Sequence, residues 1–362
     1  MKLELIGEPE IVMSNPDSKH NYFGWPTAVR LKNGRIAVGA SGFRLYHICP
    51  FGKTVICFSE DEGKSYTAPM PVIDTCLDDR DAGLCTFGES GLIVTSFNNT
   101  VAFQREQNAK RKDTSYCKYI EAYLDTVSPE NEQSVLGYTY RVSYDNGVTF
   151  GPIYKSPITS PHGPIELSNG SILWVGTSHA NGHDIVAYEI DPKNGESKYI
   201  GKVNTDNIKA KGAFPCEPYA FETSDGRIIC HIRGDKHSSE ETIFTLYQTE
   251  SSDGGRSWTT PVQILGDCGG APSHIMRHSS GALVTTFSYR IRPYGIKAMI
   301  SRDEGRSWSE AEFLYSNEVS GDLGYPSTVE LRDGSLLTVF YVTPIKGGPA
   351  SIMQQKWSLL DE

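Results

Sequence analysis

The chain has 362 residues, which is enough to bury one large hydrophobic core or two ordinary ones. Its formal net charge of −10, with no compensating basic run, argues against a nucleic-acid partner and against an anionic membrane surface. No apolar run reaches the 18 residues that a membrane-spanning helix needs.

Six short hairpins recur along the chain, and each consists of two apolar strands around a glycine-containing turn. They are AVRLKNGRIAVGA, LCTFGESGLIVTSF, IELSNGSILWVG, AFETSDGRIICHI, IMRHSSGALVTTF and VELRDGSLLTVFY. The turn glycines stand at positions 34, 91, 170, 226, 281 and 334, so four of the five gaps are 53 to 57 residues and one is 79. Four short strands that repeat about every 50 residues are typical of propeller blades.

A second repeat, Ser-x-Asp-x-Gly-x-Ser/Thr-aromatic, follows the first, second, fourth and fifth hairpins. Its four copies are SEDEGKSY (59–66), SYDNGVTF (143–150), SSDGGRSW (251–258) and SRDEGRSW (301–308). The aspartate can accept backbone N–H groups within a tight turn, and the glycine allows the positive φ that closes it. We therefore interpret this repeat, the Asp-box, as scaffold and not as an active site; EIDPKNGESKYI replaces it in the third unit.

These repeats predict an all-β fold, a six-bladed β-propeller of four-stranded antiparallel blades that occupies residues 1–362 as a single domain. The sixth unit ends after SIMQQKWSLL, so the N-terminal LELIGEPEIVM is expected to supply its fourth strand and close the ring. The long gap reflects an insertion, residues 98–137, in blade two. It is polar, 102–125 suits a helix, and it is either a lid or rim over the binding face or a solvated decoration.

The loops that enter the first strand and leave the second strand of each blade lie on one face of a propeller, so polar side chains there should converge. The residues at these positions are Arg44, His47, Asp79, Arg80, Asp81, His162, His179, Glu217, Arg233, Arg290, Arg292, Asp322 and Tyr325. This concentration of acids, arginines and histidines predicts a binding site for an anionic or polyhydroxylated ligand. His179 and His183 lie in a Gly- and Asn-containing loop, which does not suit a helical zinc pair, and we predict no metal and no cofactor.

With its Asp-boxes, the whole chain resembles the sialidase-like superfamily of six-bladed propellers. The resemblance implies a tyrosine nucleophile that a glutamate activates, three arginines that clamp the substrate carboxylate, and an aspartate acid/base. By similarity, CEPYAFETSDGRIICHIR places Glu217 as the base and Arg233 as a clamp arginine, and GYPSTVELRDGSLLTVFY places Tyr325 as the nucleophile. YRIRPYGIKAMIS places Arg290 or Arg292 as another clamp arginine.

Blade one departs from the family pattern. FGWP has Gly24 where the family has an arginine, and FRLYHICPFGK offers an arginine and a histidine but no acid/base carboxylate. DDRDAG in blade two supplies replacements, with Asp79 or Asp81 as the acid/base and Arg80 between them.

We therefore expect a sialidase-like, retaining, exo-acting glycoside hydrolase whose partner is a small glycan or glycoside on an anionic or polyhydroxylated sugar. One alternative is a polysaccharide lyase, with His162 or His47 as the proton-transfer group and Tyr325 as an acid, or a hydrolase that uses two carboxylates. Another is a glycan-binding propeller without catalysis.

Eight cysteines show no Cys-x-x-Cys spacing, and several lie in apolar runs such as VICFS and RIICHI, where a thiol behaves as a small hydrophobe. The first residues, MKLELIGEPE, lack the apolar core of a signal peptide. We expect a cytoplasmic protein with free thiols, and the sequence leaves its oligomeric state open.

Overall fold

Six four-stranded antiparallel sheets form a ring of blades in this computed structural model, which describes residues 2–178, 183–237, 242–266 and 272–360. The predicted six-bladed β-propeller is therefore confirmed. Within each blade the strands are neighbours in chain order, except in the sixth blade, which takes its outermost strand from the N-terminal segment.

The strand bounds follow the hairpin repeats. The N-terminal strand is β1 (Lys2–Met13). Blade one comprises β2 (Tyr22–Arg30), β3 (Ile36–Arg44), β4 (Lys53–Ser59) and β5 (Met70–Ile73). Blade two comprises β6 (Leu84–Phe87), β7 (Gly91–Phe97), β8 (Tyr138–Ser143) and β9 (Tyr154–Ser156). Blade three comprises β10 (Ile165–Glu166), β11 (Ile172–Ser178), β12 (Asp184–Ile190) and β13 (Ser197–Lys202).

The remaining three blades follow the same pattern. Blade four comprises β14 (Phe214–Glu222), β15 (Ile228–His237), β16 (Thr242–Ser251) and β17 (Val262–Leu265). Blade five comprises β18 (Ser273–Arg277), β19 (Leu283–Tyr289), β20 (Tyr294–Ser301) and β21 (Glu312–Asn317). Blade six comprises β22 (Leu323–Glu330), β23 (Leu336–Val342), β24 (Ser351–Leu360) and β1.

The ring is closed by β1, which pairs antiparallel with β24. Leu3 lies opposite Leu359 and Leu5 lies opposite Trp357 in this pairing. Blade six thereby gains its fourth strand, as predicted, and β24 is no longer an unpaired edge.

The hydrophobic core lies between neighbouring blades. Phe23 and Val38 of blade one pack with Val339 and Tyr341 of blade six in one buried cluster. A corresponding cluster joins blades three and four. This inter-blade packing holds the inner strands in place around the axis.

The Asp-box turns are local hydrogen-bonded structures. In the fourth copy, Ser307 donates its backbone N–H to Asp303 Oδ1 at 2.8 Å and its hydroxyl to Asp303 Oδ2 at 2.6 Å. These hydrogen bonds to Ser307 lower the pKa of Asp303 to about 2, although burial opposes them. The same serine or threonine contacts recur at Asp61, Asp145 and Asp253.

The insertion in blade two contains three helices between β7 and β8: α1 (Val101–Ala109), α2 (Cys117–Leu124) and α3 (Pro129–Val135). A short helix, α4 (Asp206–Lys209), precedes blade four. The α2 residues Ile120 and Leu124 pack against Leu45 and Cys49 in the loop after β3. The insertion therefore supports the blade-one loop that follows Arg44 and carries His47.

Two further features concern the whole of the described chain. The seven cysteines within the described residues are unpaired. None of the helices described is long and apolar enough to cross a membrane.

Candidate active site

The site is built on a backbone feature that recurs at the start of the inner strands. Trp25, Asp81, Glu217 and Tyr325 all have positive φ, between 47° and 56°. In blade six, Tyr325 and the proline after it lie between the pairs Gly324–Tyr341 and Ser327–Val339, so two residues face one on β23. Such a β-bulge turns the side chain of its first residue, and positive φ is strained for residues other than glycine.

The same register shift places the corresponding residues of the other blades. It occurs in β2 around Trp25 and in β14 around Glu217. In blade two, Asp81 lies between the Arg80–Phe97 bridge and the next backbone hydrogen bond of the hairpin. Equivalent positions in different blades point towards the axis, so these side chains meet at the centre of the ring.

Tyr325 and Glu217 are directly hydrogen-bonded. Tyr325 Oη donates to Glu217 Oε1 at 2.5 Å, and Arg233 Nη1 donates to Glu217 Oε2 at 2.5 Å. Burial and then the charge of Glu217 raise the pKa of Tyr325 well above its usual range, although Arg233 opposes the effect. The phenol is therefore neutral at rest, with a carboxylate in position to accept its proton.

Two arginines border this pair. Arg233 is held on its other side by Asp235, which accepts from Nε and Nη2 at 2.7 Å each. Arg290 donates from Nε and Nη2 to the carbonyl of Leu323 at 3.2 and 3.0 Å. The ring of Phe244 lies 4.9 Å from the Arg233 guanidinium carbon and 5.2 Å from that of Arg290, which fixes both side chains.

Asp81 and Arg80 complete the centre of the site from blade two. Asp81 is 7% exposed, and burial raises the pKa of its carboxyl to about 7, with Glu217 adding to the rise and Arg80 opposing it. The Arg80 guanidinium carbon lies 4.1 Å from the Trp25 ring centroid, and Nη1 donates to the His47 carbonyl at 2.7 Å. Asp81 can therefore exchange a proton near neutral pH.

A hydrogen-bonded cluster forms the wall towards blades one and six. Asp322 accepts from Tyr22 Oη and Tyr341 Oη at 2.9 Å each, and His47 Nδ1 lies 3.1 Å from Asp322 Oδ1. Burial alone would raise the pKa of Asp322, but the hydrogen bonds from His47, Tyr22 and Tyr341 outweigh it and hold the value at about 2. The Trp25 ring packs edge-on against His47, with centroids 4.9 Å apart. Burial lowers the pKa of His47, although Asp322 opposes this.

Two of the predicted site residues, Arg44 and Asp79, are held inside the protein. Arg44 and Asp78 are both 0% exposed, and Arg44 Nη2 lies 2.6 Å from Asp78 Oδ1. Asp79 accepts from the backbone N–H and the hydroxyl of Thr75, at 2.6 and 2.9 Å, and from Asn98 Nδ2 at 3.3 Å. Burial nevertheless raises the pKa of Asp79 to about 7.

Two others lie apart from the central pair, and a third falls outside the described residues. His162 is 1% exposed and packs with Tyr219 and His274, and burial lowers its pKa well below the usual range. Arg292 is exposed, and its Nε donates to Tyr294 Oη at 3.3 Å. His179 lies outside the described residues. The structure thus brings together Tyr325, Glu217, Arg233, Asp81, Arg80, Arg290, His47 and Asp322.

Comparison with known protein families identifies a family for this chain. The sequence matches the profile of the BNR repeat-like domain over residues 122–338, more than half of the chain. The chain belongs to the BNR repeat-like family. A search of curated protein sequences found no match.

Solved structures extend the likeness of this BNR repeat-like chain to its whole length. A protein of unknown function from Dyadobacter fermentans aligns with a TM-score of 0.76 and 20% identity over 99% of each chain. The intramolecular trans-sialidase from Ruminococcus gnavus aligns at 0.64 and 13% over 97% of each chain. The α-L-arabinanase from Penicillium chrysogenum aligns at 0.62 and 14% over 98% of each chain. At these identities the likeness shows a shared fold, and with the family match it supports the sialidase-like superfamily resemblance.

Several residues of the BNR repeat-like site were not predicted from sequence. Trp25 and Tyr341 resemble ordinary core aromatics, and Asp235 resembles a surface acid in a loop. A usable signal for Trp25 was the proline that follows it, because Glu217 and Tyr325 are also followed by proline. For Asp235 the signal was its position two residues after Arg233, which places both on the same face of β15.

The donor set within the described residues suits organic acid/base chemistry. No group of three or more histidine, cysteine, aspartate or glutamate side chains there is arranged to hold a metal ion. What the site does contain is a phenol paired with a carboxylate, a second carboxyl with a pKa near neutrality, and guanidinium groups around them.

Proposed function

We propose that the protein is a retaining, exo-acting glycoside hydrolase in which Tyr325 is the nucleophile, Glu217 its base and Asp81 the acid/base. The observation that carries this proposal is the 2.5 Å hydrogen bond from Tyr325 Oη to Glu217 Oε1 at the centre of the ring. A buried tyrosine with a raised pKa becomes an effective nucleophile when a positioned carboxylate removes its proton.

In the first step, Glu217 accepts the phenolic proton while Tyr325 Oη bonds to the anomeric carbon. The bond from that carbon to the leaving-group oxygen breaks, and Asp81 gives its proton to this oxygen. The product is a tyrosyl glycoside with Glu217 protonated and Asp81 ionised. Arg233, which is bonded to Glu217, limits the charge change at the carboxylate.

In the second step, ionised Asp81 takes a proton from water, and the water oxygen bonds to the anomeric carbon. The bond to Tyr325 breaks and Glu217 returns its proton to Oη, which restores the enzyme. Two displacements at one carbon retain the anomeric configuration.

Asp81 suits the acid/base role better than Asp79 does. Asp79 is fully buried and bonded to Thr75 and Asn98, whereas Asp81 occupies the bulge position equivalent to those of Glu217 and Tyr325. The pKa of Asp81, about 7, leaves both protonation states populated near neutral pH. The trans-sialidase and the arabinanase with the same fold add support for a carbohydrate substrate, as an analogy.

The test is release of the aryl group from a panel containing an α-sialoside, a uronide, a rhamnoside and an arabinofuranoside. On the best substrate, Tyr325→Phe should lower kcat by about 10³-fold or more, because the nucleophilic oxygen is lost. Tyr341→Phe is the matched control, since it removes an equally buried phenol that donates to Asp322 and not to Glu217. The proposal fails if no glycoside is hydrolysed or if Tyr325→Phe keeps more than a tenth of kcat.

A second candidate is a hydrolase with two catalytic carboxylates, in which Glu217 itself attacks the anomeric carbon. It is favoured by the presence of two carboxyl groups, Asp81 and Glu217, at equivalent positive-φ positions of their blades. A fluorinated sugar that traps the covalent intermediate separates the two candidates. Mass spectrometry of the digested adduct should find the sugar on Tyr325 for the first mechanism and on Glu217 for the second.

A further inference from the structure

We infer that the sugar bound at this site is uncharged: a polyhydroxylated sugar without a carboxylate. This inference rests on the proposed hydrolase function and narrows its substrate class. Recognition of a carboxylate needs arginine N–H groups that are unpaired and aimed at the ligand. The described arginines of the site do not provide such a set.

Blade one is crowded at the Gly24 position. A Cβ atom there would lie 3.3 Å from Tyr22 Cε1 and 3.7 Å from Tyr341 Cδ2. Both rings are held by their hydrogen bonds to Asp322. An arginine side chain would have to displace this wall, so aromatic rings occupy the side of the site that blade one contributes.

Two arginines are already neutralised by protein carboxylates. Arg44 is fully buried beside Asp78. Arg233 donates to Glu217 from one edge and to Asp235 from the other, which uses three of its five N–H groups. The positive charge of each guanidinium is therefore already balanced by protein carboxylates.

Arg80 and Arg290 remain, and each is partly engaged. Arg80 donates to the His47 carbonyl and shares Asp78 with Arg44, at 3.4 Å. Arg290 donates twice to the Leu323 carbonyl. These two cations do not form a clamp of convergent arginines.

The charge balance of the site gives an anion no net attraction. The four arginines Arg44, Arg80, Arg233 and Arg290 are set against five carboxyl groups: Asp78, Asp81, Glu217, Asp235 and Asp322. The chain segments outside the described residues contain no arginine or lysine. With Asp81 protonated, as the proposed first step requires, four guanidinium groups face four carboxylates, so the site has no net positive charge to attract a carboxylate. Sugar hydroxyls both donate and accept, so they suit a mixed set of carboxylates and guanidinium groups.

The experiment compares matched pairs of aryl glycosides that differ in a carboxylate against a hydroxymethyl group: glucuronide with glucoside, and galacturonide with galactoside. The α-sialoside and its methyl ester form a third pair, and an arabinofuranoside and a rhamnoside are included. If the protein accepts one of the matched pairs, we expect kcat/KM to be at least tenfold higher for the uncharged member. If it accepts none of the pairs, we expect it to hydrolyse the arabinofuranoside or the rhamnoside, both of which are uncharged. Binding of the corresponding free sugars is measured in parallel by NMR.

Asp235→Asn provides an internal test, because with little change of shape it removes the negative charge beside Arg233 and one of the two oxygens that accept from Nε and Nη2. It should raise the ratio of kcat/KM for a charged member over its uncharged partner by about tenfold relative to the unmodified protein. Asp303→Asn, in an Asp-box away from these contacts, is the control and should leave that ratio unchanged.

The outcomes separate the two proposals. Faster hydrolysis or tighter binding of the carboxylate-bearing member overturns the substrate class but leaves the hydrolase intact. Binding of an uncharged sugar without aglycone release upholds the substrate class and overturns the hydrolase. If no uncharged sugar binds or reacts, both proposals are wrong.

Discussion

Replacing Arg44 with methionine should destabilise the fold and leave substrate affinity almost unchanged. Arg44 and Asp78 are both 0% exposed and lie 2.6 Å apart, and Asp78 Oδ1 makes no hydrogen bond within the described residues besides this ion-pair contact. Removing one partner of a buried ion pair leaves an uncompensated charge and costs about 3–5 kcal/mol. Asp78 Oδ2 keeps Gln104 at 2.9 Å and Arg80 at 3.4 Å, so we expect the lower end, about 3 kcal/mol.

Urea unfolding followed by tryptophan fluorescence measures this loss. With a slope of about 3 kcal/mol per molar, the midpoint should fall by roughly 1 M. Replacing Asp78 with leucine in the same chain should recover part of the loss, because the stranded charge is then removed. A loss below about 1 kcal/mol together with a tenfold rise in KM would refute the reasoning, and Arg44 would be a substrate ligand.

Three other predictions concern the pH dependence of activity, a hydrogen bond to Asp78 and the pH dependence of stability. Because burial raises the pKa of Asp81 to about 7, its acid form is lost above that pH, so kcat/KM should fall as pH rises past about 7; the residual activity of Asp81→Asn on an activated aryl glycoside should lack this decline. Gln104→Ala removes a donor to Asp78 and should cost about 1–2 kcal/mol in urea unfolding, and Gln104→Glu should cost more by adding a like charge. The pKa of Asp303 is lowered to about 2, so its stabilising effect is present above about pH 4 and is lost as pH falls towards 2; Asp303→Asn should flatten this part of a plot of melting temperature against pH and leave kcat/KM at pH 7 unchanged.

The fold could be predicted from sequence because its signals are local and repeated. Each Gly34-type turn and each Asp-box is specified within eight or so residues, and their spacing gives the number of blades. Placement of β1 beside β24 followed from the need to complete the sixth blade.

From the residue pattern, the site could be predicted only as a set of polar residues at the ends of strands. That rule located Tyr325, Glu217 and Arg233, which the structure joins by hydrogen bonds. It did not distinguish Asp79 from Asp81, because residues two apart in an extended chain share a face and the partner that fixes Asp79, Asn98, lies 19 residues away. Long-range contacts of this kind are invisible to local patterns.

The bulged start of the inner strand has a consequence for how this scaffold changes over time. The backbone holds one side chain at the axis in each of four blades, whatever that side chain is: an indole at Trp25, carboxyls at Asp81 and Glu217, and a phenol at Tyr325. The side chain at this position can therefore change while the backbone that holds it stays the same. A single codon change at one of these positions replaces a reactive side chain without moving the other blades, so new chemistries on this ring are reachable by single steps.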